Sequence, residues 1–129
     1  MSIDIKVKFS DNFSLNNTKL VVMVLEDGLI ADQENYTSYY GGVSVIQNFV
    51  HNHVLRSSIT NVAGDIVPEN EVINGVYSKS FSVAVPSNVA NSANMSIVAF
   101  VSNDNFAGSS QVINSRVAHF GDTQTFQED

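Results

Sequence analysis

"SIDIKVKFS", residues 2–10, sets Ile3, Ile5, Val7 and Phe9 between Ser2, Asp4, Lys6, Lys8 and Ser10. Strict alternation of apolar and polar residues marks a strand with one face in a core and the other in water. "TKLVVMVLED" (18–27) differs: from Leu20 to Leu25 both faces are apolar, as in a central strand covered on both sides. "MSIVAFVS" (95–102) repeats that character. Leu20, Val22, Val24, Ile97, Ala99 and Val101 are therefore the expected core. The fold is decided by these three segments.

Working outward, "SDNFSLNN" (10–17) and Asp27-Gly28 supply turn residues. Residues 29–47 hold no steady period and read as a long loop, with "ENYTSYYGG" (34–42) inside it. "FVHNHVLRSSI" (49–59) reads as one strand with neither face cleanly apolar. Residues 61–75 read as loop with a short strand near Asp65, and "VYSKSFSVAV" (76–85) alternates again up to Pro86, which cannot donate to a sheet. "QVINSRVAHF" (111–120) is the last strand. Six to seven strands at short spacing, almost without helical periodicity, predict an all-β, antiparallel sandwich of immunoglobulin or fibronectin type. A small closed barrel is the alternative. Residues 1–120 form one domain on this reading, and the polar segment 121–129 is a disordered tail.

The chain has 129 residues, which suffices for one core without staples. It lacks cysteine, so disulfides, thiolate metal sites and cysteine nucleophiles are excluded. Six basic against thirteen acidic residues give a net charge of −7, and the cations are scattered along the chain. A phosphate-binding surface needs them clustered, so nucleic acid is not an expected partner. No apolar run reaches the ~20 residues of a membrane-spanning helix, and no transmembrane segment is expected. The first residues lack the pattern of a signal peptide. A chain that opens directly into a strand fits a cytoplasmic protein or a domain of a longer precursor.

Four groups of residues could carry chemistry. His51 and His53, at i and i+2 of one strand, would share a face and could offer two metal ligands. An open zinc site needs a third ligand, and none stands at a recognisable spacing. They read instead as members of a structural polar network with Asn52 and Arg56, with Asn52 and Arg56 on the opposite face. Ser57, His53 and Asp65 could be drawn as a hydrolytic triad, but no serine sits in a glycine-flanked elbow. Tyr36, Tyr39 and Tyr40 could form a stacking platform for a sugar or a peptide. The oxygen-rich loops at 27–32 and 102–105 lack the acidic density of a calcium loop. Neither a catalytic residue, a metal site nor a cofactor is expected.

"VVMVLEDGLIADQ", "VHNHVLRSSIT", "MSIVAFVSN" and "QVINSRVAHF", spanning Lys19 to Ala118, resemble the outer-membrane protein family of roughly 28 kDa found in Bacteroides-type bacteria. His-Asn-His-Val-Leu-Arg is the specific part. The chain departs from the family's pattern near Ala63-Gly64, where a tryptophan is missing, and in a tail that runs past the last strand. The resemblance implies an envelope or surface protein, often a lipoprotein, at the outer membrane, cell surface or periplasm. It implies no enzymatic activity. The expectation is a non-enzymatic sandwich module for spacing, domain docking or protein recognition, with another protein or a neighbouring domain of the same precursor as partner. A carbohydrate-binding module using Tyr36, Tyr39 and Tyr40 is the alternative.

Overall fold

The computed structural model describes residues 1–34, 40–106 and 109–126, and the side-chain surroundings of all of these except 32–34, 40, 104–106 and 109–111. Among the described residues nine strands form in the order β1 (Ser2–Lys8), β2 (Thr18–Glu26), β3 (Leu29–Glu34), β4 (Val45–His51), β5 (Val54–Ser58), β6 (Asp65–Ile66), β7 (Val76–Ser82), β8 (Met95–Phe106) and β9 (Ser109–His119). All pairings are antiparallel. The sheets stay open, which removes the barrel alternative. The strand count exceeds the six to seven expected. Segment 29–47 is the main reason: its ends pair as β3 and β4, although Asp32, Gln33 and Glu34 disguise the first of them as loop.

The larger sheet runs β5-β2-β8-β9, with β6 on β2 as well. Directly opposite residues share a face, so Leu20, Val22 and Val24 of β2 align with Val101, Ala99 and Ile97 of β8. Over this face lies the two-stranded layer β1–β7. Leu20, Val22, Val67, Tyr77 and Val101 form the buried cluster, with Ile5, Val7, Phe81, Ile97 and Ala99 packed around it. This makes two layers around one core, an antiparallel β-sandwich. The alternation of β1 works as expected: Ile3 is buried, while Ser2, Asp4, Lys6 and Lys8 are exposed. Tyr77 lies opposite Val7 and is buried. Burial, then the charges of Glu71 and Asp65, push its phenol above the ordinary tyrosine range.

Two local devices hold the far face of β2. β5 ends at Ser58, Ile59 N–H still donates to the Val22 carbonyl of β2 at 2.8 Å, and Thr60 Oγ1 accepts the N–H of Val22 at 3.2 Å. Gly64 then crosses over β2 at a φ of 98°; a Cβ on it would stand 2.9 Å from Lys19 Cβ and 3.0 Å from Val21 Cγ2. Only glycine fits that crossing. The close approach covers Val21, which keeps 2% of its exposure.

Hydrogen bonds join the segment after β9 to that strand. Arg116 Nη1 donates to the Thr125 carbonyl at 2.6 Å, and Gln124 Nε2 to that of Val117 at 3.0 Å. Gln127 to Asp129 lie outside the described residues.

Candidate functional site

The single strand expected over 49–59 is two strands. β4 stops at His51, β5 starts at Val54, and His53 between them has a φ of 55° in the left-handed region. β2 breaks in the same way at Asp27-Gly28, with Gly28 at 72°. The two breaks face each other. β2 pairs with β5 on one side of them and β3 with β4 on the other, so one long hairpin changes sheets at a double corner.

The corner is closed by reciprocal hydrogen bonds. Gly28 N–H donates to Asn52 Oδ1 at 3.0 Å, and His53 N–H donates to Asp27 Oδ1 at 2.6 Å. Each break thus supplies one side-chain acceptor and one backbone donor to the other. Asp and Asn suit the task because short side-chain oxygens can stand in for the missing ladder carbonyl. His53 tolerates the left-handed conformation better than a β-branched residue such as the neighbouring Val54 would. Its side chain is 73% exposed, with Nε2 3.9 Å from Asp27 Oδ1.

Just inside the corner sits Glu26, fully buried and on the inward face with Leu20, Val22 and Val24. Oε1 accepts from Arg56 Nε at 2.9 Å and from Ala90 N–H at 3.0 Å; Oε2 accepts from Asn91 N–H at 2.7 Å. Burial pushes this carboxyl upward, yet the Ala90 and Asn91 N–H groups and the Arg56 guanidinium outweigh it, holding the group below the usual carboxylate range. The ion pair fixes more than two side chains. Asn88 Nδ2 donates to the Arg56 carbonyl, Asn91 Oδ1 accepts from Ala93, and Asp27 N–H donates to the Asn94 carbonyl. The 86–94 connection is laced to the corner at every turn.

His51 therefore ends β4 while His53 lies in the break before β5, and the shared strand face expected for them does not exist. His51 ends β4 opposite Leu29, its ring edge-on to Phe49 at 5.1 Å, and its Nε2 is buried without a hydrogen bond. Arg56 turns into the core end beside Glu26, whereas Asn52 serves the corner. The drawn triad is not assembled either. Asp65 lies opposite Leu20 and accepts from Asn61, while His53 lies beside Asp27. At the rise of a strand those two places are roughly 20 Å apart. Among the described residues no group of three or more His, Asp or Glu could hold a metal ion. Tyr36 and Tyr39 lie outside the described residues, and Tyr40 is described only in its backbone, at the start of a short 3-10 turn.

Sequence reasoning missed Glu26 as the hub. The available signal was its parity: an acid in phase with Leu20, Val22 and Val24 must be buried, and a buried acid must be paired.

Fold and corner together define a β-sandwich module whose polar residues lace a sheet-switching hairpin. The motifs brought together there, Glu-Asp-Gly and His-Asn-His-Val-Leu-Arg, are the ones that carried the family resemblance. The Outer membrane protein Omp28 family matches residues 1–124, and the chain belongs to it. It is accordingly a protein of the bacterial cell envelope. Among solved structures, HBP35 of Porphyromonas gingivalis is similar in fold, with a TM-score of 0.65 at 12% identity over 99% of this chain. This chain spans 40% of the length of that protein. No curated protein matches it.

Proposed function

We propose that the chain is a non-enzymatic module of an envelope protein, serving domain docking or protein recognition on a rigid sandwich. One observation carries the reading: the charged and amide groups of its corner site are spent on its own backbone and on one another. Glu26, Asp27, Asn52, Arg56 and Asn91 each bond to a neighbouring strand or loop. A reactive acid or base needs a free face toward a substrate and a pKa near the working pH. Glu26 has neither, since both oxygens are occupied and its carboxyl is held low. What the sandwich offers outward is apolar surface on strands, with Leu55, Val112 and Val117 exposed. Such surface suits contact with another protein.

Photo-crosslinking in the native bacterium tests this. A crosslinking amino acid at Leu55, Val112 or Val117 of the full-length protein should give one adduct of constant mass, in the envelope fraction. Adducts that scatter without a preferred partner would reduce the module to a spacer. Recovery of the protein outside the envelope fraction would remove the reading.

A further inference from the structure

The two layers do not cover each other fully. A cleft of 950 Å³ opens between β1 on one side and β9 with the 121–126 segment on the other. Its floor includes Ile97, Ala99 and Ala118, and Phe120 and Phe126 stand at its rim, each about half exposed (50% and 54%). The core face of the large sheet thus runs on beyond the edge of β1.

That edge is unpaired. Val83 N–H donates to the Met1 carbonyl and Phe9 N–H to that of Gly75, and these bonds fix the phase of the β1–β7 ladder. Ile3, Ile5 and Val7 exchange their backbone bonds with β7, so the N–H and C=O groups of Ser2, Asp4, Lys6 and Lys8 point the other way. Among the described residues no strand pairs with them. A free edge beside an apolar floor is the arrangement that accepts an added strand.

Charge selects the occupant. In a chain of net charge −7 with six cations, Lys6, Lys8 and Arg116 all line this cleft. The two acids lining it, Asp4 and Asp122, accept hydrogen bonds from Ser80 Oγ and from His119 N–H. A strand laid along β1 would turn alternate side chains onto the floor and the others outward, level with Lys6 and Lys8. β9 and the 121–126 segment line the cleft opposite β1, and its 950 Å³ is the scale of one short extended segment rather than of a second whole sandwich. We infer that the cleft binds an extended segment of a partner protein in which apolar residues alternate with acidic ones, added as a strand to β1. The site rests on the docking function proposed above and gives it a place and a partner chemistry.

The probe is a synthetic peptide as long as β1, 7 residues, alternating valine and glutamate, titrated into the protein by amide NMR. The amide resonances of Asp4, Lys6 and Lys8 should shift most, and those of β9 with them. A valine–lysine peptide and a backbone N-methylated valine–glutamate peptide should both bind far more weakly. Lys6→Glu with Lys8→Glu should weaken the glutamate peptide at least about tenfold and favour the lysine peptide. Both lysines are exposed, and an unchanged melting curve verifies the fold of that variant. Equal binding of the two charge patterns, shifts confined to the other face of the large sheet, or no binding up to the solubility limit would each overturn the proposal. So would concentration-dependent shifts at β1 without peptide, which would assign the edge to a second copy. Loss of peptide binding alongside a constant crosslink from Leu55 or Val117 would sink this site and leave the docking function standing.

Discussion

The inward face of β2 ends in two buried polar residues that solve the same problem differently. At one end Thr18 is fully buried, and its Oγ1 accepts from Asn103 Nδ2 at 3.2 Å; the same amide reaches the Asn16 carbonyl at 3.4 Å. At the other end Glu26 is fully buried and accepts three shorter hydrogen bonds, one from a cation. The neutral end ties neighbouring strands that are already paired in the sheet. The charged end ties segments distant in sequence: the sheet switch at Asp27-Gly28, the start of β5, and the connection into β8. An acid is a better clamp there because it can accept from several loop donors at once, and bonds to a charged acceptor are stronger than neutral ones. The same charge makes the clamp fragile, because it cannot lose its counter-ion without leaving a buried charge.

Breaking the clamp should therefore have the largest effect. Arg56→Met keeps bulk and removes the cation, so the urea midpoint should fall further than for any other substitution considered below. Adding Glu26→Gln should restore part of that loss, since a neutral amide needs no counter-ion. If the double variant is as unstable as the sum of the single ones, the charge is not what matters at this end.

Between the two ends the inward face is apolar, and Leu20→Ala measures it alone. Leu20 is 2% exposed, and its truncation should cost about 2–5 kcal/mol in chemical denaturation, through lost burial and a cavity. Ile97 is only half-buried, beside the open cleft, and its truncation should cost less than that of Leu20. The reverse order would mean that the cleft is filled by something more than solvent.

Acid titrates the charged end and leaves the neutral one untouched. The folded-state pKa of Glu26 lies below its unfolded value of 4.5. The stability it contributes is therefore complete above that unfolded value and is lost as pH falls through the folded pKa. Denaturation midpoints followed from about pH 6 to about pH 3 should fall more steeply for the parent than for Glu26→Gln. Parallel curves would place the acid sensitivity in other carboxylates.

The legibility of these regions in the sequence differs for physical reasons. β1, β2 and β8 are plain because burial writes itself as periodicity, and the inward parity of Leu20, Val22, Val24, Ile97, Ala99 and Val101 follows directly. The double corner is not plain. Phe49 to Ile59 reads as unbroken strand because the left-handed turn at His53 is stabilised by Asp27 Oδ1, 26 residues away. Glu26 is equally quiet: two of its partners, Ala90 and Asn91, donate with backbone N–H groups that any residue other than proline would supply. The cleft leaves no mark either, since β1 alternates in the same way whether or not its second edge is paired. Local pattern reports which face is buried, and not which distant backbone completes it.

The smallest effect is expected at the neutral end, where Thr18→Val keeps the shape and removes the hydroxyl. Asn103 loses one acceptor but keeps the Asn16 carbonyl, so its amide is not stranded. The backbone bonds of Thr18, from its N–H to the Leu15 carbonyl and from the Val67 N–H to its own carbonyl, are unaffected by the change. What remains is one neutral hydrogen bond exchanged for a buried methyl, worth about 1 kcal/mol against folding. The midpoint should move by that amount equally at neutral and acid pH, because no charge is involved. A loss as large as that of Arg56→Met would erase the contrast between the two ends. It would show that Thr18 and Asn103 also clamp something distant, and the connection around Asn16 would be the place to search for it.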